Sequence, residues 1–347
     1  MRVVVILALA ACGGSSSSAP PPVSDPEPSE PQPVAQDEPV EPAPVAATPE
    51  EPEEVAEPAN QNVVEIEALT GARAIAATAS GICGVMNNRV LCVRADGGDP
   101  SAMALSNEES LVETEASAMG LCARGESGAV FCQSAYNDPP TQAQIRGLRD
   151  ATQISVGNHH GCALRGNGRV VCWDSREPQR RPRRVSIRGA SAVAAAGEAE
   201  CAIVDSAVTC WALGETVRGC SDCGRSASPP APVEGTDGVR ALVAAGSEGH
   251  AIVENGTVVR FSLDDESRAE AVAEVAGAQQ IGSWCGDWSG SGCAPTTCVI
   301  DGDGYVTCWA RSPYGRVGRI ANAAELTVGR SLVCARREDA TVACIRI

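Results

Sequence analysis

The chain has 347 residues, a formal net charge of −17 and 44% hydrophobic residues, of which few are aromatic (3%); it allows one large domain or two modest ones, with a core built from Val, Ala, Ile and Leu. All 27 basic residues are arginine, and an acidic chain gains little from the phosphate attraction that drives nucleic-acid binding, which excludes nucleic acid as a default partner. Seventeen cysteines exclude a chain kept reduced; in an oxidising compartment they form a disulfide framework, and their odd number asks for one cysteine with another task.

The apolar run Val3 to Ala11 is too short to span a bilayer, which takes about 20 residues, and fits the apolar region of a secretory signal. Leu9-Ala10-Ala11-Cys12 resembles a bacterial lipobox. The resemblance implies cleavage after residue 11 and a diacylglycerol on the Cys12 thiol. With Gly13 rather than Asp next, it implies an outer-membrane lipoprotein of the bacterial cell envelope, facing periplasm or exterior, whose first partner is the membrane itself. The sixteen cysteines that remain can all pair.

Residues 12–61 read as the lipidated cysteine and a tether. After the run Ser15–Ser18 come 13 Pro and 11 Asp/Glu with no Arg. Such a composition cannot bury enough apolar surface to offset its ordering entropy, and Pro-rich chain is extended, reaching about 3.1 Å per residue. The expected role is that of a spacer.

From residue 62 onward the chain repeats. The segment Cys162-Ala-Leu-Arg-Gly-Asn-Gly-Arg-Val-Val-Cys172-Trp173 has relatives beginning at Cys83, Cys122, Cys201, His250, Cys298 and Cys334, seven units in all. Each reads as a β-hairpin, because residues opposed on two antiparallel strands are symmetric about the turn. Cys83 and Cys92 are symmetric about Asn87-Asn88, and Cys201 and Cys210 about Asp205-Ser206. Cys122 and Cys132, Cys162 and Cys172, and Cys298 and Cys308 flank three-residue loops ending in Gly128, Gly168 and Gly304, where such loops want a left-handed residue. Cys334 and Cys344 flank a loop in which Ala340 replaces the glycine, which makes that hairpin the least secure. The fifth unit opposes His250 and Arg260, keeping the turn without the cysteines. Opposed residues lie about 4.5–5.5 Å apart, within disulfide reach, so six cross-strand bridges are expected. Zinc, the rival reading, wants clustered ligands at short spacing, which the hairpin pairs do not offer.

Upstream of each hairpin runs a strand ending in small residues, as in Gln153 to Gly157, Ala192 to Gly197, Leu242 to Gly246 and Leu326 to Gly329; another precedes it, for example Arg183 to Ile187. Four short strands per repeat and no helix-period segment describe a β-propeller, with the small residues at a crowded axis. The motifs Gly161-Cys-Ala-Leu164…Val171-Cys-Trp173, Cys201-Ala-Ile203…Thr209-Cys-Trp211 and Cys298-Val-Ile300…Thr307-Cys-Trp309 resemble the bacterial form of the regulator-of-chromosome-condensation repeat. The family's following Gly-x-Leu-Gly survives as Gly315-Arg-Val-Gly318. The resemblance implies an all-β, seven-bladed propeller of four-stranded blades over residues 62–347. The orphan strand 62–68 would complete the last blade, closing the ring and removing exposed edges.

Three anomalies fall in loops expected to share one face. The first is 283–296, with Trp284 and Trp288 and a loop bridge Cys285–Cys293; rigid aromatics are typical interface anchors. The second is 216–228, where Cys220-Ser-Asp-Cys223 reads as a structural disulfide, since a redox pair wants a thioredoxin-like setting. The third is 176–188, with Arg180, Arg181, Arg183 and Arg184, suited to an anionic partner. Asp301-Gly-Asp-Gly304 lacks the later ligands of a calcium loop. No catalytic triad, nucleotide loop, metal site or cofactor motif stands out. The reading is a non-catalytic, monomeric, lipid-anchored envelope module that binds a protein or glycan through one propeller face. One alternative is a protein inhibitor of an enzyme, because a secreted propeller of similar repeats inhibits β-lactamases. Another is an envelope thiol–disulfide protein using Cys220 and Cys223.

Overall fold

A computed structural model describes residues 63–347, apart from 96–97, 104, 106–108, 119, 135–140, 159, 176, 178, 197–198, 213–227, 264–267, 273–274, 287–294 and 310–314. Its strands form seven four-stranded antiparallel sheets. Six are consecutive meanders: residues 75–103, 111–149, 151–184, 190–232, 239–271 and 278–319, here blades 1 to 6. Blade 7 takes three strands from 323–346, and its fourth is Val63–Glu65, paired with Val342–Arg346. The ring is therefore closed by the N-terminal strand. That strand is shorter than 62–68, because the chain turns at Glu67–Leu69 into a 3-10 helix that buries Leu69 between blades 7 and 1. Arg337 clasps the closure, donating from Nη2 to Glu65 Oε1 at 2.7 Å and from Nη1 to Oε2 at 2.8 Å.

The first strand of each blade touches the first strands of both neighbours, so these strands line the axis. Seven hydrophobic clusters fill the seven blade interfaces. They follow one rule, set by strand alternation: residues i and i+2 share a sheet face. The cysteine-bearing face of one blade packs on the opposite face of the next. Thus Cys162, Leu164, Val170 and Cys172 meet Val193, Ala195, Ala202 and Trp211. With few aromatics in the chain, those present carry much of the contact. Trp173 lies over its cross-strand partner Gly161, and Phe261 over Gly249. A β-carbon added at either glycine would come within 2.3 Å or 2.2 Å of the ring.

The hairpin turns also join the blades. The carbonyls of Asn87, Gly128, Gly168, Ser206, Gly256, Gly304 and Ala340 each accept the N–H of a residue leading into the next blade: Leu111, Ala151, Ala190, Val239, Ala278, Ile320 and Gly71. Every one of these acceptors has a left-handed φ, between 60° and 85°. Glycine adopts that region freely, whereas an alanine there is strained. Ala340, at φ 63°, is the one alanine. In six blades the inner strand then shifts register just past its first residue, a bulge absent from the sequence expectations.

The six hairpin pairs are disulfides: Cys83–Cys92, Cys122–Cys132, Cys162–Cys172, Cys201–Cys210, Cys298–Cys308 and Cys334–Cys344, with Cα separations of 4.0–4.1 Å. The tightness has a cause. In blade 3, Arg165 N–H donates to Arg169 O, so the pair three steps up the ladder, Cys162↔Cys172, falls at a non-hydrogen-bonded site, where strands approach most closely.

Candidate functional site

In a meander, alternate connections lie at opposite ends of the sheet. One face of the ring therefore carries the hairpin turns and the links between blades, held together by the bonds just described. The other carries the loops joining strands one to two and three to four, where the chain is longest and most varied. The expected binding residues divide between these faces and the core.

Trp284 ends the inner strand of blade 6. Rather than standing out as an anchor, it is 6% exposed, in the cluster between blades 6 and 7 with Ile320, Leu326 and Val328. Ala118 of blade 2 packs against the same cluster, and Asn158 of blade 3 donates to Cys285 O at 3.5 Å. Cys285 of blade 6 thus meets blade 3, and packing between blades 6 and 7 removes the Trp284 indole from solvent. Cys285 is disulfide-bonded. Cys293, its expected partner, lies outside the described residues, as do Trp288, Cys220, Cys223 and Cys12.

The arginines of 176–188 do not form one patch. Arg180 sits on the loop face, where its Nε is 2.9 Å from Glu177 Oε2, and Arg181 is exposed beside it. The expected strand 183–187 is only Arg183–Arg184, paired with Cys172 and Val171. Alternation turns these two side chains to opposite sides. Arg184 lines a cleft of about 220 Å³ with Arg165, Arg169 and Arg188, over Val170, Val171, Val185 and Ile187. That cleft opens between the hairpin turn of blade 3 and the link to blade 4, toward the turn face.

Polar side chains bind blade to blade around the axis. Glu113 Oε1 accepts from Ile154 N–H (3.1 Å), Gln153 Oε1 from Val193 N–H (3.0 Å) and Glu325 Oε1 from Ile75 N–H (3.1 Å). Two residues on, Ser155 and Thr327 repeat the contact to Ala195 and Ala77. Arg124 pairs with Glu113 and Arg336 with Glu325. Glu115 stands at the Ser155 position. Desolvation, and then repulsion from Glu113 and Glu325, holds its carboxyl well above the usual range. Desolvation also raises Glu113 and Glu325, against the pull of their arginines.

Two buried contacts cross blade interfaces. His160 Nδ1 lies 3.1 Å from Glu200 Oε1, with the glutamate fully buried; desolvation raises the Glu200 pKa, and His160 opposes the rise. His250 takes the place of a hairpin cysteine and accepts from Trp309 Nε1 of blade 6 at 3.2 Å, with Thr297 Oγ1 3.4 Å from its other nitrogen. Burial, helped by Arg260, pushes its pKa down to about 3, so the ring is neutral and able to accept. Among the described residues no three His, Cys, Asp or Glu side chains are placed to hold a metal ion, and no helix is long and apolar enough to cross a membrane.

A family model for the regulator of chromosome condensation (RCC1) repeat matches residues 151–173, the inner strand and hairpin of blade 3. A search of curated protein sequences finds no match. Solved structures similar to this chain include Prp20p from Saccharomyces cerevisiae, studied with its binding to Gsp1p and histones. That match has a TM-score of 0.55 at 13% identity and covers 79% of this chain and 82% of the other. Human WBSCR16 gives a TM-score of 0.56 at 12% identity over 79% and 87%. PorZ, a surface component of the type-IX secretion system of Porphyromonas gingivalis, gives 0.53 at 10% identity over 82% of this chain and 38% of that one. The chain is thus a seven-bladed propeller carrying an RCC1 repeat.

Proposed function

We propose that this chain is an exported, lipid-anchored binding module, which holds a protein or glycan partner of the bacterial envelope on its loop face. The observation that carries the reading is the division of labour in the ring. Disulfides, interface clusters and turn-to-link hydrogen bonds recur from blade to blade, whereas the loops of the opposite face differ in each blade. A rigid scaffold with variable loops on one side is the arrangement that binding proteins use. A disulfide in each of six hairpins suits an oxidising compartment, in keeping with an export signal over residues 1–11. The likeness to Prp20p, whose binding to other proteins is the subject of that work, supports a propeller acting as scaffold, although fold alone does not choose the partner.

Two measurements test this. Metabolic labelling with an alkyne fatty acid should mark the full chain and fail to mark Cys12→Ser; equal labelling of both removes the anchor. The full chain used as bait in an envelope extract should retain a partner that is lost on combining Arg180→Ala, Arg181→Ala and Trp288→Ala. Recovery of the same partners by both baits removes the loop face as the binding surface.

A further inference from the structure

We propose that the cleft on the outer part of blade 3 is an anion site that takes a phosphate group, through Arg169, Arg184 and Arg188. The site lies beyond the loop face, and the small probes used below test it independently of that reading.

Among the described residues its lining includes Arg165, Arg169, Arg184 and Arg188 and holds no Asp or Glu. This stands out in a chain of net charge −17, in which several arginines elsewhere pair with carboxylates. Arg124 has Glu113, Arg336 has Glu325, Arg337 has Glu65 and Arg73 has Glu126. At the cleft only Arg165 is matched: its Nε donates to Asp150 at 2.8 Å and 3.0 Å. Arg169, Arg184 and Arg188 line the cleft from two backbone segments, the central hairpin of blade 3 and its outer strand with the link to blade 4. Those segments are held in place by bonds that leave the side chains out. Val185 N–H donates to Val170 O (3.1 Å), Ala190 N–H to Gly168 O (3.0 Å) and Arg169 N–H to Asn167 Oδ1 (3.2 Å). The walls are fixed, and the apolar floor formed by the valines and Ile187 keeps the charges close to a low-dielectric surface, where each is worth more than in bulk water.

The charge count selects the ligand class. Three unpaired guanidiniums exceed what one carboxylate neutralises. A phosphomonoester brings about −1.5 to −2 charges and three strong acceptor oxygens, and guanidinium forks bond such oxygens in pairs. The cleft volume of about 220 Å³ admits the phosphate with part of the group that carries it. The same chemistry occurs in a free or sugar phosphate and in a lipid headgroup.

The test uses the chain with Cys12→Ser, so that no acyl group contributes. Titration calorimetry with inorganic phosphate and glucose 6-phosphate should show binding, with glucuronate at least tenfold weaker. Arg169→Gln with Arg184→Gln should weaken both phosphate probes at least tenfold. Arg180→Gln with Arg181→Gln, on the other face, should leave them within twofold. All four side chains are surface groups, and circular dichroism checks that each variant folds. Flotation with vesicles of phosphatidic acid in phosphatidylcholine separates the sources: co-flotation lost in the cleft variant assigns a lipid headgroup, and binding of soluble esters alone assigns a free or sugar phosphate. Failure of every phosphate probe to bind, glucuronate binding as tightly as phosphate, or equal affinity in the cleft variant and the parent overturns the proposal.

Discussion

Blade 5 offers a direct test of how the hairpins are held. His250 and Arg260 are opposed in register at the same spacing of 10 residues that separates Cys162 from Cys172. Replacing both with cysteine should therefore form a seventh bridge. Closing a loop of about 11 residues stabilises by about 2.8 kcal/mol in the chain-entropy model. Against this stands the loss of the Trp309–His250 bond, which leaves a buried indole N–H without its acceptor, at about 1 kcal/mol. That loss is tolerable, since Trp211 packs against the Cys162–Cys172 bridge with its Nε1 buried and unpartnered. Arg260 adds little, because its approach to Glu270 is 3.9 Å and largely exposed, where such pairs contribute about 0–1 kcal/mol. The net expectation is a gain of about 1–2 kcal/mol over the parent. Urea unfolding followed by near-UV circular dichroism measures it, with His250→Ser/Arg260→Ser as the unbridged reference and thiol titration to confirm the bond. A bridged protein no more stable than the serine reference would refute both the register and the entropic account.

Ala340→Gly should stabilise by about 1 kcal/mol, since it relieves a left-handed alanine while keeping the carbonyl that binds Gly71. Denaturant unfolding reads it, and a loss of stability would mean that the turn is not under strain. A second expectation concerns pH. A carboxyl whose pKa is higher folded than unfolded stabilises the fold fully below the ordinary carboxylate range, and that stability is lost as pH rises through the raised folded value. Glu115 is the most displaced, with Glu113 and Glu325 of the same sign. The parent should therefore weaken between acid and neutral pH, and Glu115→Gln should flatten that slope and be the more stable protein at neutrality. Unfolding curves across the range decide it; an unchanged slope would remove Glu115 as the source.

The hairpins were legible because symmetry about a turn is arithmetic: once Asn87-Asn88 is the turn, Cys83 must face Cys92. The ring closure was legible for a similar reason, since a last unit one strand short and a first strand without a hairpin complete each other. What escaped needs knowledge of which faces meet. Nothing near His160 in sequence points to Glu200, because the contact exists only when the cysteine face of blade 3 lies on the opposite face of blade 4. The cleft escaped because reading Arg180, Arg181, Arg183 and Arg184 as one group ignored strand alternation, which parts Arg183 from Arg184. Arg165 and Arg169 come from the hairpin some twenty residues earlier. A signal for the axial glutamates was present: aligning the repeats puts Glu113, Gln153 and Glu325 at one position. Trp284 looked like an anchor because composition cannot tell an aromatic that greets a partner from one that fills a blade interface.

The clasp of Val63–Glu65 on Val342–Arg346 sets a timetable for the nascent chain. The seventh sheet waits for the last strand to leave the ribosome, so early blades can form hairpins but cannot complete a ring. The same dependence means that losing the five-residue strand Val342–Arg346 would take away Cys344, the partner of Cys334, and leave Val63–Glu65 unpaired.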